Sequence, residues 1–471
     1  MGKSSSLFNG SGNQTLIKRI TPTEEQRDFL QTQWNYLVEH VKSTLYASTG
    51  YSISTWLQGS YKYGTLIRPV HIGEEYDVDV GIYFEFSKNE STAPAPIQLR
   101  DWVQQELLRF KSLTSDVKSI SIPPKERCSR VVYSKIFHID TPVYHLDKKN
   151  DSRRLACMSD TWEHSDPKAI YKWFRSAVNQ DDMDQLRRLI RYLKAWAAIE
   201  FQNTPDARPS SILLTVLVAN IFKQNLISRT LGIDDEDALI MVIIDIHNQL
   251  FQCQSRKVEN PIDTNEDLNR IPVEHWAVFL ASLETLRDAA ERAKDADDEA
   301  GAALTWSTVF SFLMPLPETK EVEIVEENSG KAIMQLPEIE IDVFSRNPKK
   351  LLDKFTNEVP SVAKGCDLVF RITNPHVIPG YATIEWTVRN DSDESNYLGD
   401  LGHRRIGIRM LEVDEKTSYA GQHFMDCIIR SNGQVYSVRR VPVYVRDINY
   451  PPRHIQRPSY TRILSKLGRR R

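Results

Sequence analysis

Residues 58–86 read QGSYKYGTLIRPVHIGEEYDVDVGIYFEF, and the fold turns on this stretch. Gly59 and Ser60 stand at its start; Asp77 and Asp79 stand one residue apart inside an apolar run. That run alternates and is rich in β-formers, which predicts a strand. Residues i and i+2 of a strand share a face, so both carboxylates emerge together. Two like charges side by side are unfavourable unless a cation neutralises them. Mg²⁺ suits this role, since it takes carboxylates together with substrate phosphates. The Gly59-Ser60 turn offers backbone N–H groups and a hydroxyl without bulk, as a triphosphate requires. Asp140, in the β-like run IFHIDTPVY, supplies a third carboxylate for a two-metal, in-line phosphoryl transfer. A lone D-x-D also fits a solvated strand edge. The order Gly-Ser, D-x-D, later strand Asp favours the metal site.

Working outward, the first 150 residues mix helices with a small sheet. A long amphipathic helix follows Thr21-Pro22 or Thr23, with Phe29, Trp34, Leu37, Val41 and Leu45 at helical spacing. Residues 51–57 are short and mixed. From about residue 155 the pattern turns helical, as in DMDQLRRLIRYLKAWAAIEF, with Leu186, Leu189, Ile190, Leu193 and Ala197 on one face. Residues 319–358 are polar and proline-punctuated and are expected to form a linker region. Beyond it, short alternating runs divided by Asn, Gly, Pro and Asp predict a β-rich, sandwich-like domain over 359–450. Ser431-Asn432-Gly433 is its hairpin signal. Residues 451–471 form a basic tail, expected to be solvated. The expected organisation is thus 1–155 catalytic core, 156–318 helical domain, 319–358 linker, 359–450 β domain and 451–471 tail.

The five cysteines are odd in number, scattered and without a C-x-x-C pair, which argues against a disulfide framework or structural zinc. A reducing cytoplasm fits them. No apolar run reaches membrane-span length, and the polar N-terminus is expected to be a flexible start rather than a signal. A net charge of −3 does not advertise nucleic-acid binding, which is neither required nor excluded.

GSYKYGTLIRP, YDVDVGIYF and FHIDTPVY together resemble the core of the polymerase-β-like nucleotidyltransferases. SDPKAIYKWF, RRLIRYLKAW and RPSSILLTVLV resemble the helical half of one branch, the CD-NTases, bacterial relatives of cyclic GMP–AMP synthase in anti-phage signalling. ITNPHVIPGYATIEWTVRN and DLGHRR resemble the AGS-C-type sensor domain of some of these enzymes. The resemblance implies an α+β fold with a helical half completing the nucleotide cleft. It implies metal ligation by Asp77, Asp79 and Asp140, with Asp140 helping to deprotonate the attacking hydroxyl. Gly59 and Ser60 match its phosphate-cradling turn, with Gln58 beside them. Lys194 matches a lysine on the donor triphosphate, and one of Ser210 and Ser211 a serine of similar role. Tyr51, Gln58, Arg68 and Tyr63 lie near the core and could contact bases, Gln58 being the one expected to bind nucleotide, although structural roles are the more common for each.

The function implied is joining ATP and/or other NTPs into a cyclic di- or trinucleotide messenger, with two Mg²⁺ ions or Mn²⁺ in their place. Defence-system proteins would be partners of the C-terminal domain. The alternatives are a nucleotidyltransferase that modifies RNA or protein, and a nucleotide-sensing module with little activity. The presence of all three carboxylates argues against the last.

Overall fold

The computed structural model describes residues 2–12, 15–87, 93–134, 137–224, 232–252, 256–316, 323–324, 332–333, 336–431 and 434–450. The chain divides into two compact units, Met1–Pro317 and Glu318–Arg471. Cys253, the Asn432-Gly433 turn and the basic tail lie outside the described residues.

In the first unit, helices α1 (Ser5–Asn9) and α2 (Leu16–Ile20) precede the long helix α3 (Glu24–Thr49). Thr23 starts α3 with a capping box: its hydroxyl accepts from the Gln26 N–H at 3.2 Å, and the Gln26 side chain accepts from the Thr23 N–H at 2.9 Å. Strand β1 (Ser52–Gln58), helix α4 (Gly59–Tyr63), strand β2 (Tyr76–Glu85) and helix α5 (Pro96–Leu113) follow. Six more strands complete an eight-stranded sheet: β3 (Val117–Ile120), β4 (Ser129–Tyr133), β5 (Phe137–Thr141), β6 (Val143–Asp147), β7 (Ser152–Ala156) and β8 (Trp162–His164).

Strand β2 is the centre of that sheet. One edge pairs antiparallel with β1, placing Gln58 opposite Asp79. Along the other edge β5 and β6 run parallel to β2 as one strand interrupted at Pro142. Tyr76 pairs with Phe137, Asp79 with Asp140, Ile82 with Val143 and Glu85 with Leu146. The Ile82 N–H donates to the Pro142 carbonyl at 2.9 Å, which carries the ladder across the break. Val78, Val80, Ile82 and Phe84 point into a core filled from α3 by Leu37 and Val41 and from α5 by Leu99, Val103 and Phe110. Burying each such side chain stabilises the unit by roughly 1.5–3 kcal/mol. A one-residue slip would turn the aspartates into this core, so packing sets the register of the site.

The helices α6 (Pro167–Ser176), α7 (Gln180–Glu200) and α8 (Ser211–Gln224) lead into three more, Asp235–Gln252, Val273–Asp295 and Glu299–Phe310. The predicted face of α7 is buried throughout, from Leu186 to Ala197. Among the described residues, no helix is long and apolar enough to cross a membrane.

Four expectations need correction. The N-terminus is not a loose polar start. Phe8 is fully buried, edge-on to Tyr192 and Trp306 at 5.4 Å each. The Ser4 N–H and hydroxyl both donate to the Glu236 carboxylate at 2.6 Å. Apolar Phe8, Leu16, Ile17 and Ile20 outweigh the polar composition around them. Residues 52–58 form β1, because pairing with β2 overrides their mixed pattern. The sheet continues to His164, past the expected boundary at 155. Finally, residues 339–356 of the expected linker are an antiparallel hairpin, Ile339–Ser345 with Lys350–Thr356. Ile339, Ile341 and Val343 alternate into a core, which the polar neighbours obscured.

The second unit has two sheets. One holds four strands, Lys350–Thr356, Ile339–Ser345, Cys366–Ile372 and Glu412–Lys416 in spatial order. The other holds five, Val359–Lys364, Gln434–Asn449, Gly421–Ser431, Thr383–Asp391 and Gly402–Ile408. Ile341 and Phe370 from the first sheet share one core with Trp386, Met425 and Val441 from the second. Ser431 pairs with Gln434 at the end of the antiparallel ladder. Cys128, Cys157, Cys366 and Cys427 are free thiols.

Candidate active site

Parallel pairing of β2 with β5 brings distant residues side by side. Asp77 stands next to His138 and Asp79 next to Asp140, all on the face opposite the core. One oxygen each of Asp77 and Asp140 and one His138 nitrogen lie within 4.8 Å of one another. Burial, and then the charges of Asp77 and Asp140, push the Asp79 carboxyl well above the usual carboxylate range. A cation beside Asp79 would favour its ionised form. Carboxylates gathered on one face supply the oxygen donors that a hard divalent cation takes, so the residues fit one.

Two neighbours that sequence reasoning missed hold these carboxylates. Arg130 grips Asp140 with both ends, Nε to Oδ1 at 2.6 Å and Nη2 to Oδ2 at 2.7 Å. Burial disfavours the Asp140 carboxylate, but Arg130, with Lys125 at 3.6 Å, outweighs it and holds its pKa below the usual value. His138 lies 2.8 Å from Glu75 through Nδ1 and 2.9 Å from Asp77 through Nε2. Burial opposes its charge, yet Asp77 and Glu75 raise its pKa overall. The signals were present. Arg130 faces Asp140 across the antiparallel β4–β5 pair, and His138 is two residues from Asp140 and so on its face.

Gly59 explains the Gly-Ser pair. Its φ of 61° lies in the left-handed region, and a Cβ there would overlap Asp79 Oδ2. Glycine thus lets the turn sit directly on the carboxylate. Ser60 follows in α4 and lines a cavity of about 260 Å³ together with Asp77, Glu74, Lys194, Arg208 and Ser211. Lys194 is buried, its Nζ donating to the Thr65 carbonyl at 3.1 Å and to the Thr65 hydroxyl at 3.2 Å. Burial, helped by Arg191, pushes its pKa down to about 7. The two serines separate by geometry. Ser210 Oγ caps α8, accepting from the Leu213 N–H at 3.3 Å, whereas Ser211 lines the cavity.

Gln58 is buried and committed to a tyrosine pair. It donates to the Tyr83 hydroxyl at 3.0 Å and accepts from the Tyr144 hydroxyl at 3.3 Å. Tyr63 packs edge-on against Phe174 at 4.9 Å, Tyr51 packs on Phe86, and Arg68 donates to the Thr21 carbonyl at 2.8 Å. On the Asp79 side a second cavity, of about 340 Å³, is lined by Trp56, Gly59, Lys62, Tyr171 and Arg270 among others. Lys62 stands 4.5 Å above the Trp56 ring there. The carboxylate face therefore lies between a polar cavity that holds Lys194 and Arg208 and an aromatic one, an arrangement that suits phosphates and a base.

Comparison with known proteins agrees with this geometry. Residues 53–144 match the family described as cyclic GMP-AMP synthase DncV-like, nucleotidyltransferase domain. Residues 320–446 match the adenylyl/guanylyl and SMODS C-terminal sensor domain. The chain is 28% identical over 426 residues to a cyclic GMP-AMP synthase of Escherichia albertii, covering 90% of each. It is 24% identical over 290 residues to a c-di-GMP synthase of Roseivirga ehrenbergii, covering 53% of this chain and 71% of the relative. Its fold is that of Vibrio cholerae DncV cyclic AMP-GMP synthase, solved with the linear intermediate pppA(3′,5′)pG. That likeness has a TM-score of 0.53 at 18% identity and covers 67% of this chain and 96% of the other. The chain thus carries a DncV-like nucleotidyltransferase domain, which bears Asp77, Asp79 and Asp140, and an adenylyl/guanylyl and SMODS C-terminal sensor domain.

Proposed function

We propose that the enzyme condenses nucleoside triphosphates, ATP and GTP among them, into a cyclic di- or trinucleotide messenger of anti-phage defence in the cytoplasm. The observation that carries this is the register of β2 and β5, which sets Asp77, Asp79 and Asp140 on one face beside the Lys194 cavity. Asp77, Asp79 and Asp140 would hold two Mg²⁺ ions, or Mn²⁺, which neutralise phosphate charge and acidify the attacking hydroxyl. Gly59 and Ser60 cradle the triphosphate from the turn. Lys194 leaves Thr65 for the phosphate oxygens and takes up a proton as it does so. Ser211 donates from the first turn of α8. Arg130 releases at least one Asp140 oxygen, which then accepts the proton of a ribose hydroxyl. That hydroxyl attacks the α-phosphorus, the bond to pyrophosphate breaks, and the linear product repeats the step on its own triphosphate to close a ring. Positioning and electrostatics supply the rate, with no protein nucleophile. The C-terminal unit would respond to an infection signal or a defence-system partner.

The test is incubation of the full chain with labelled ATP, GTP, CTP and UTP plus Mg²⁺ or Mn²⁺, followed by phosphatase and mass spectrometry. A phosphatase-resistant cyclic product is expected, absent in Asp77→Asn and Asp79→Asn. A labelled macromolecule, or near-normal product from either variant, would overturn the assignment.

A further inference from the structure

Behind the catalytic turn lies a third cavity, of about 660 Å³, which the proposed mechanism does not use. It is lined by α2, the start of α3, the far end of α4 and the outer face of α7. Its charge is one-sided. Lys18, Arg27, Arg187, Arg188 and Arg191 face two carboxylates, Asp184 on the lining and Asp235 behind it. Arg188 is matched, bidentate to Asp235 at 2.6 and 2.9 Å. Arg187 shares Asp184 at 3.0 Å, which is exposed. Arg27 and Arg191 meet no carboxylate within ion-pair distance among the described residues. Burial pushes the pKa of Arg191 down to about 10, and Arg27 and Arg187 push it further the same way. A half-buried guanidinium held against other guanidiniums is a repulsion that an anion would relieve.

Guanidinium forks match phosphate oxygens bidentately, and these forks come from separate elements, so one small monovalent anion would not satisfy them. The cavity also bears on the active site. Arg187 donates to the Tyr63 carbonyl at 3.1 Å, and Arg191 donates to the Gly64 and Leu66 carbonyls. These carbonyls close and follow α4, the helix that begins with Gly59 and Ser60.

We propose that this cavity is a second anion site, separate from the catalytic cleft, which takes a compact oligophosphate and through α4 sets the position of the Gly59-Ser60 turn. The oligophosphate is either free or borne by a nucleotide. The site does not depend on which product the enzyme makes.

The test is calorimetric titration of the full chain with sodium tripolyphosphate, without divalent metal, beside orthophosphate and ATP. Arg27→Glu, at an exposed position, should weaken tripolyphosphate binding by about tenfold, as expected for loss of charged hydrogen bonds. Lys194→Ala, in the catalytic cleft, should leave it within about twofold on the same scale, and Ser60→Ala serves as a second cleft control. ATP binding that is equally sensitive to Arg27→Glu assigns the ligand to nucleotides; tripolyphosphate binding alone assigns it to free oligophosphate. The site is overturned if no probe binds, if orthophosphate binds as tightly as tripolyphosphate, or if only the cleft variants lose binding. In the Lys194→Ala background, tripolyphosphate should also slow amide exchange over residues 59–64. Unchanged exchange there would refute the coupling to α4.

Discussion

Gly59→Ala, set against Gly50→Ala, isolates what the turn glycine does. Both glycines have left-handed φ, 61° and 74°. An alanine there costs about 1–2 kcal/mol on backbone grounds alone. At Gly50, the C-cap of α3, a Cβ would meet nothing within 4 Å, so that strain is the whole effect. At Gly59 the added Cβ overlaps Asp79 Oδ2. The carboxylate must retreat on the order of 1 Å, a misplacement that costs catalytic groups about 100-fold in rate. Gly50→Ala should therefore lower the melting temperature of the catalytic unit by roughly 2–4 °C, and Gly59→Ala by at least as much. Only Gly59→Ala should lose turnover, by about two orders of magnitude or more. Thermal unfolding paired with product formation at saturating NTP and Mg²⁺ reads both quantities. Gly59→Ala with turnover like that of Gly50→Ala would refute the claim that the turn is built against Asp79.

Two further outcomes follow from the structure. Lys194 has a pKa near 7, and a bound triphosphate favours its charged form, so nucleotide binding should take up close to one proton at pH 8 and almost none at pH 5.5. Titration calorimetry in buffers of different ionisation enthalpy measures this, and Lys194→Ala should abolish it while raising the apparent KM. With its folded pKa below the unfolded value, the unfolded chain binds more protons from about pH 7 to 10.5, so Lys194 destabilises the fold at low pH and stability recovers through that window. Ending the chain at Pro317 should leave a soluble protein that binds nucleotide, whereas ending it at residue 345 should aggregate. The longer form keeps the strand Ile339–Ser345 with Ile339, Ile341 and Val343 stripped of their sheet. Light scattering distinguishes the two, and equal solubility would refute the argument that Ile339–Ser345 needs its sheet to stay soluble.

The shared face of the carboxylates was legible because it rests on a local rule. The two-residue period of a strand places Asp77 with Asp79 whatever the rest of the chain does. The long helix was equally legible, from Thr23 and a buried stripe at helical spacing. What escaped was decided by partners far along the chain. Ser52–Gln58 becomes a strand because β2 offers it an edge. Phe8 is buried because Tyr192 and Trp306 stand opposite it. Arg130 and His138 take their importance from Asp140 and Asp77, which composition around them does not reveal. Gln58 reads as a candidate nucleotide contact, but its hydrogen bonds go to Tyr83 and Tyr144. Ser210 and Ser211 differ only in which one ends the loop and which one begins the helix.

The unbroken register between β2 and the β5–β6 strand has a mechanical meaning. Asp79 and Asp140, 61 residues apart in the chain, are tied by the same hydrogen-bonded ladder that runs on to Glu85 and Leu146. Their relative motion is that of neighbouring rungs in the middle of a sheet, not that of two loops. The ordering entropy of bringing them together is met once, when the sheet folds, and is not demanded again at each turnover. The third carboxylate therefore needs no lid to deliver it. Partial fraying of the sheet's outer strands leaves the pair intact, and the catalytic face is lost only when the central ladder itself opens.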